Sequence, residues 1–197
     1  MQFKQFYELV LGKTLDKPLG FEFLREAIDG GLNDVQEVKV WRQTYHPPKR
    51  EAHFMLFDDR TSAYDGEFLV ADISYCSALD HDPAELLFAL TKELMHVFDP
   101  VETRIDSREK FVKFLKDLQN APLDKPNLAI DAENRARWMA ILVLCPKPLR
   151  DSIAAEIAEG RAIRPEVAQR FGLPDWLIEV ALDDYYDEAV RILTVAS

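Results

Sequence analysis

The chain has 197 residues, of which 48% are hydrophobic and 11% aromatic, so it can bury a core as one domain with at most a small appendage, and disorder is excluded. Lys and Arg number 24 against 35 Asp and Glu. The resulting net charge of −11 repels phosphate backbones and anionic membrane surfaces, which argues against nucleic acid and membrane as partners.

Phe3 to Leu11 and Gly20 to Ile28 carry apolar residues at helical spacing, and the second run stops at Gly30-Gly31. Two short opening helices are predicted. The first lacks the uncharged apolar centre of a signal peptide, and no run of 18 apolar residues occurs anywhere. Cys76 and Cys145 lie far apart, each in an apolar run, as free packed thiols of a reducing compartment do. A cytoplasmic protein is expected. Val35 to Tyr45, Ala52 to Phe57 and Glu67 to Tyr75 are rich in β-branched and aromatic residues. Pro47-Pro48, Asp58-Asp59 and Asp65-Gly66 separate them, which predicts three strands in antiparallel succession.

Asp82-Pro83 reads as a helix N-cap followed by proline at the first helical position, so a helix is predicted from Pro83 to about Phe98, closed by Asp99-Pro100. Leu86, Leu87, Leu90, Leu94, Val97 and Phe98 give it one broad apolar face, and Phe88 and Met95 extend it. Lys92 and His96 share the remaining face, one turn apart, with Glu93 between them and the core. On a helix this apolar, a lysine and a histidine both require partners. A charged amphipathic segment follows from Ser107 to Gln119, then a linker through Ala121-Pro122 to Pro126. A second apolar helix is predicted from Asp131 to about Leu144, closed by Pro146, with Glu133, Ala136, Ala140 and Leu144 along one side. Residues 147–197 form a helical tail. Its predicted helices are Pro148 to Glu159, Pro165 to Phe171 and Asp175 to Ala189, the last two in helix-turn-helix-like spacing around Gly172-Leu173-Pro174. Phosphate contacts need Arg or Lys, whereas Asp175, Glu179, Asp183 and Asp184 line the would-be recognition helix, so duplex DNA is not expected to bind. Trp176, Tyr185 and Tyr186 read as core or protein-contact residues. Residues 1–146 would be the main domain and 147–197 a tail packed on it as one unit.

Lys92-Glu93-Leu94-Met95-His96 matches the metallopeptidase motif H-E-x-x-H except at the first histidine. In that motif the two histidines bind zinc and the glutamate activates the metal-bound water. Taken alone, Lys-Glu-x-x-His also arises on solvated helix faces, and His96 could be a core histidine satisfied by a carbonyl. The near-motif helix and the second helix, with Glu133, Ala136, Ala140, Leu144 and Pro146 in place, together resemble the ImmA/IrrE family of zincin-like metallopeptidases. That family reads A-H-E-x-G-H on the first helix and E-x-x-A-x-x-F-A-x-x-L-L-x-P on the second, where Met139 stands for phenylalanine here. Glu166 to Leu173 is similar to the segment L-A-x-x-F-G-V that follows. The resemblance spans about Phe68 to Tyr185.

The resemblance implies an α+β zincin-like domain, with a small antiparallel sheet packed on the motif helix and a helical tail behind it. It implies Glu93 as the base, His96 and Glu133 as surviving zinc ligands, and Lys92 in place of the missing ligand. Met95 replaces a small residue of the motif. Two ligands hold zinc poorly. His81 lies roughly 20 Å away along the helix axis, by the rise of about 1.5 Å per residue, and His46 and His53 lie on predicted strands. The expectation is therefore a non-catalytic, zinc-free relative that binds another protein, with a homo-oligomer compatible with this, and a regulatory role in bacteria or mobile elements. An active zinc peptidase with an atypical ligand set and a scaffold unrelated to peptidases are the alternatives. In the first reading the Lys92 ammonium sits between Glu93 and Glu133 and neutralises them.

Overall fold

The computed structural model describes residues 2–13, 16–29, 35–44, 52–58, 69–100 and 128–195. The predicted helix Ser107 to Gln119, the turns at Gly30-Gly31, Pro47-Pro48, Asp65-Gly66 and Ala121-Pro122, and His46 lie outside them. Helix α1 (Phe3–Lys13) buries Phe3, Phe6, Tyr7 and Val10, the stripe that 3.6-residue periodicity aligns, and α2 (Phe21–Asp29) buries Leu24 and Ile28. Strands β1 (Val35–Gln43), β2 (Ala52–Asp58) and β3 (Leu69–Cys76) follow.

The expected antiparallel succession is corrected here. The sheet is mixed, in the order β1-β3-β2, with β1 parallel to β3 and β2 antiparallel to it. The physical reason lies in β3. Val70, Ala71, Ile73, Ser74 and Cys76 are all buried, so both of its faces are covered, and a strand of that kind takes the centre. Strand β1 exposes Glu37, Trp41 and Arg42 and is suited to an edge. Phe54, Leu56, Ile73 and Val38 face inward, toward the helices.

Helix α3 (Pro83–Met95) starts as predicted: the Asp82 carboxylate accepts from the Glu85 amide at 3.1 Å, with proline in the first turn. It ends earlier than predicted. His96–Phe98 is a 3-10 turn, and Asp99 leaves in extended conformation ahead of Pro100, as a residue before proline prefers. Helix α4 (Leu128–Leu144) is the central element: Ala136 and every residue from Met139 to Cys145 are at most 1% exposed. Each fully buried aliphatic side chain of this kind contributes about 1.5–3 kcal/mol.

The tail comprises α5 (Lys147–Ala158), α6 (Arg164–Phe171), α7 (Asp175–Ala181) and α8 (Tyr185–Val195). Gly172 ends α6 at φ 63°, a left-handed conformation in which a side chain would be strained. The predicted single helix from Asp175 to Ala189 is two. The chain breaks at Leu182-Asp183-Asp184, where the Asp183 carboxylate accepts from the Tyr185 amide at 2.9 Å and starts α8. Val167, Leu177, Ile178, Ala181 and Tyr186 enter the same apolar cluster as Phe6, Leu94 and Leu142. Trp176 pins the tail to both long helices. Its indole N–H donates to Glu85 at 2.6 Å, Phe88 meets it edge-on, and the Arg137 guanidinium lies 4.8 Å from its ring centre. Among the described residues, no helix is long and apolar enough to cross a membrane. Cys76 and Cys145 are buried free thiols, and burial pushes the Cys145 thiol up to about 12.

Tyr186 is fully buried, and its hydroxyl donates to the Cys145 carbonyl at 2.7 Å, tying α8 to the end of α4. Tyr186→Phe leaves that carbonyl without its donor in a dry environment. The expected loss is about 1–2 kcal/mol. Urea unfolding of the variant should show a lower midpoint and an unchanged slope.

Candidate functional site between the two central helices

Lys92, Glu93 and His96 reach the same side of α3 because they lie at i, i+1 and i+4, the last just past the helix end. Glu133 faces them from the first half of α4. The Lys92 Nζ lies 2.7 Å from Glu93 Oε1 and 2.7 Å from Glu133 Oε2, so one ammonium bridges two carboxylates on two helices. The lysine side chain is 18% exposed and that of Glu93 4%. Burial works against the charge of Lys92, but the Glu93 and Glu133 carboxylates outweigh it and hold the ammonium above its ordinary range.

His96 Nδ1 lies 2.7 Å from Asp99 Oδ2, and both side chains are buried. That bond aims Nε2 at the cluster, 3.9 Å from Glu93 Oε2 and 3.7 Å from Glu133 Oε1. Burial opposes the imidazolium, yet the hydrogen bond and charge of Asp99, followed by Glu93, raise the pKa above the ordinary histidine value. Phe54 of β2 stacks on the imidazole at 5.7 Å between ring centres, so the sheet covers this face of the site. Lys92, Glu93, His96 and Glu133 are thus brought together. His81 is exposed in the 3-10 turn before α3, and His53 is partly buried on β2.

Asp99 and Phe54 were not recognised as site residues in the sequence. Asp99 reads there only as the stop signal of a helix. The available signal was the His-x-x-Asp spacing, since a buried imidazole needs a polar partner and a carboxylate three residues on can supply one. Phe54 carries no sequence signal, because strand-to-helix contacts are non-local.

The residues do not fit a zinc ion. Zinc binds nitrogen and oxygen at roughly 2.0–2.2 Å, and the Lys92 ammonium lies within hydrogen-bonding distance of both carboxylates, where it would repel a divalent cation. His96 Nε2 and Glu133 Oε1 are spaced much as two ligands of one tetrahedral ion are, but the third direction belongs to a protonated amine. Among the described residues, no three His, Cys, Asp or Glu side chains form a group that could hold a metal ion. The arrangement is a partly buried ion-pair cluster in which one ammonium bridges two carboxylates. The chain matches no family model, no curated protein and no solved structure.

Two expectations follow. Lys92→Met strands the two carboxylates and should cost about 3–5 kcal/mol, read as a lower unfolding midpoint, whereas a solvated lysine would tolerate the change within about 0.5 kcal/mol. The second concerns pH. The pKa of His96 is raised in the folded state from 6.5, so its contribution is complete below that value and is lost as pH rises through the higher folded value. Stability measured from pH 6 upward should therefore fall on the alkaline side, and His96→Gln should remove that fall.

Proposed function

We propose that this chain is a zinc-free, non-catalytic relative of the ImmA/IrrE-type zincins, a pseudo-metallopeptidase that works by binding another protein. The observation that carries the reading is the Lys92 ammonium, 2.7 Å from both Glu93 and Glu133, in the place where the family resemblance puts the first zinc ligand. Glu93, the base of an active relative, is engaged by that ammonium and is not presented to a metal-bound water. The resemblance adds the setting, regulation in bacteria or mobile elements, and the acidic surface favours a protein over a nucleic acid as the partner. An active zinc endopeptidase would require Lys92 to give up its proton inside a pair of carboxylates that favour the charged form. An unrelated scaffold would hold Lys92 between Glu93 and Glu133 by charge pairing alone, and the zinc test below separates it from the zincin reading.

Lys92→His tests the reading, because it rebuilds a His, His, Glu ligand set with Glu93 beside it. The wild-type protein should hold well under one zinc per chain and melt at the same temperature with and without zinc. The variant should take up about one zinc per chain and gain roughly 2.7 kcal/mol at free zinc a hundredfold above its dissociation constant. Elemental analysis and thermal melts read both. A variant that folds normally but ignores high micromolar zinc defeats the zincin relationship. Stoichiometric zinc in the wild type, lost on His96→Ala, would instead point to an active enzyme.

A further inference from the structure

The surface carries a second feature, unconnected with Lys92. Helices α4 and α8 flank an open groove of about 570 Å³ lined from α4 by Asp131, Arg135 and Trp138 and from α8 by Tyr185, Ala189 and Ile192. On each wall the residues recur at i, i+4 and i+7, so both helices present a regular stripe to the same space. Tyr185 is 72% and Ile192 49% exposed, a large apolar surface to leave in water on a helix that already buries Tyr186 on its other side. The charges are arranged in a particular way. Asp131 and Arg135 are exposed, sit one turn apart with opposite sign, and have no ion-pair partner among the described residues. Glu188, the other acid on the groove, is engaged by its own Arg191 at 2.8 Å.

We infer that a second copy of this chain covers the groove in a twofold dimer. A dyad perpendicular to the helices sets α4 antiparallel to its copy, which brings Asp131 against the partner subunit's Arg135 and Arg135 against the partner subunit's Asp131. One pair of opposite charges a turn apart, without ion-pair partners among the described residues, is self-complementary under that operation and under no parallel one. The same dyad sets α8 antiparallel to its copy, so Tyr185 meets the partner subunit's Ile192, and the two exposed apolar side chains are covered together. The two helix pairs then form a four-helix contact with an apolar centre and a charged edge, the distribution found in stable interfaces. The rim pairs set the orientation, while Tyr185, Ile192 and Trp138 supply most of the affinity.

Light scattering after size exclusion, with sedimentation over a concentration series, tests this on the full-length protein. The wild type should run at twice the chain mass of 22.7 kDa at micromolar concentration. Ile192→Glu should give monomer with an unchanged thermal melt at low concentration. Asp131→Arg and Arg135→Asp should each weaken the dimer about tenfold or more, because each places two like-charged pairs across the dyad, and the double reversal Asp131→Arg with Arg135→Asp should regain most of the loss. A monomeric wild type overturns the inference, as does a dimer indifferent to Ile192→Glu. Single reversals that the double variant fails to rescue overturn the antiparallel arrangement. None of these outcomes depends on zinc, so the result stands apart from that of Lys92→His.

Discussion

One ammonium shared by two carboxylates organises the centre of this molecule. Glu93 belongs to α3 and Glu133 to α4, and without a cation between them their charges would repel where the two helices face each other. Lys92 supplies that cation from within the chain. A buried pair of this type contributes little net stability when compared with a well-packed apolar replacement, because desolvation consumes most of the Coulombic gain. Once one member is present the others are required, because removing a single partner strands the charge that remains.

The rest of the site is built outward from that point in successive layers of satisfaction. The imidazole of His96 faces the carboxylates and is held by Asp99, and Phe54 closes the open face of the ring. Each group answers a need created by its neighbour, as buried polar groups must. Further along α3, Glu85 receives the indole of Trp176, so the helix that carries the cluster also carries the attachment of the tail. The tail is therefore joined to the site element by a directional bond as well as by apolar contact.

How much of this was legible in the sequence depended on the range of each interaction. Helices α3 and α4 were legible because their periodicity, caps and terminating prolines are local, and Lys92, Glu93 and His96 could be placed on one face for the same reason. Glu133 became a candidate only through a family resemblance, since nothing in the spacing between residues 93 and 133 says that they meet. The order of the sheet is not legible in the same way, because strand pairing is non-local. Turn residues between consecutive strands are equally compatible with β1-β2 pairing and with β3 standing between them, and the burial of both faces of β3 belongs to the second arrangement. The break before Tyr185 was hidden for a different reason: Asp183-Asp184 is tolerated within a helix, and only the hydrogen bond to the Tyr185 amide shows that it starts a new one.

The same charge logic says what a lysine standing in place of a metal ligand would do to a site of this shape. A divalent ion brings two positive charges and an open coordination position at which water can be activated. An ammonium brings one charge, fills its hydrogen-bonding directions with the carboxylates themselves, and leaves no such position. Among the described residues, further positive charge at the site comes from His96, and Asp99 is placed to favour it. On the proposed reading, the cluster keeps the electrostatic balance that packs α3 against α4 while giving up the reactive centre. On that reading, whatever this protein recognises is met at its surface rather than between these helices, and the face formed by α4 and α8 is one that presents charged beside exposed apolar side chains.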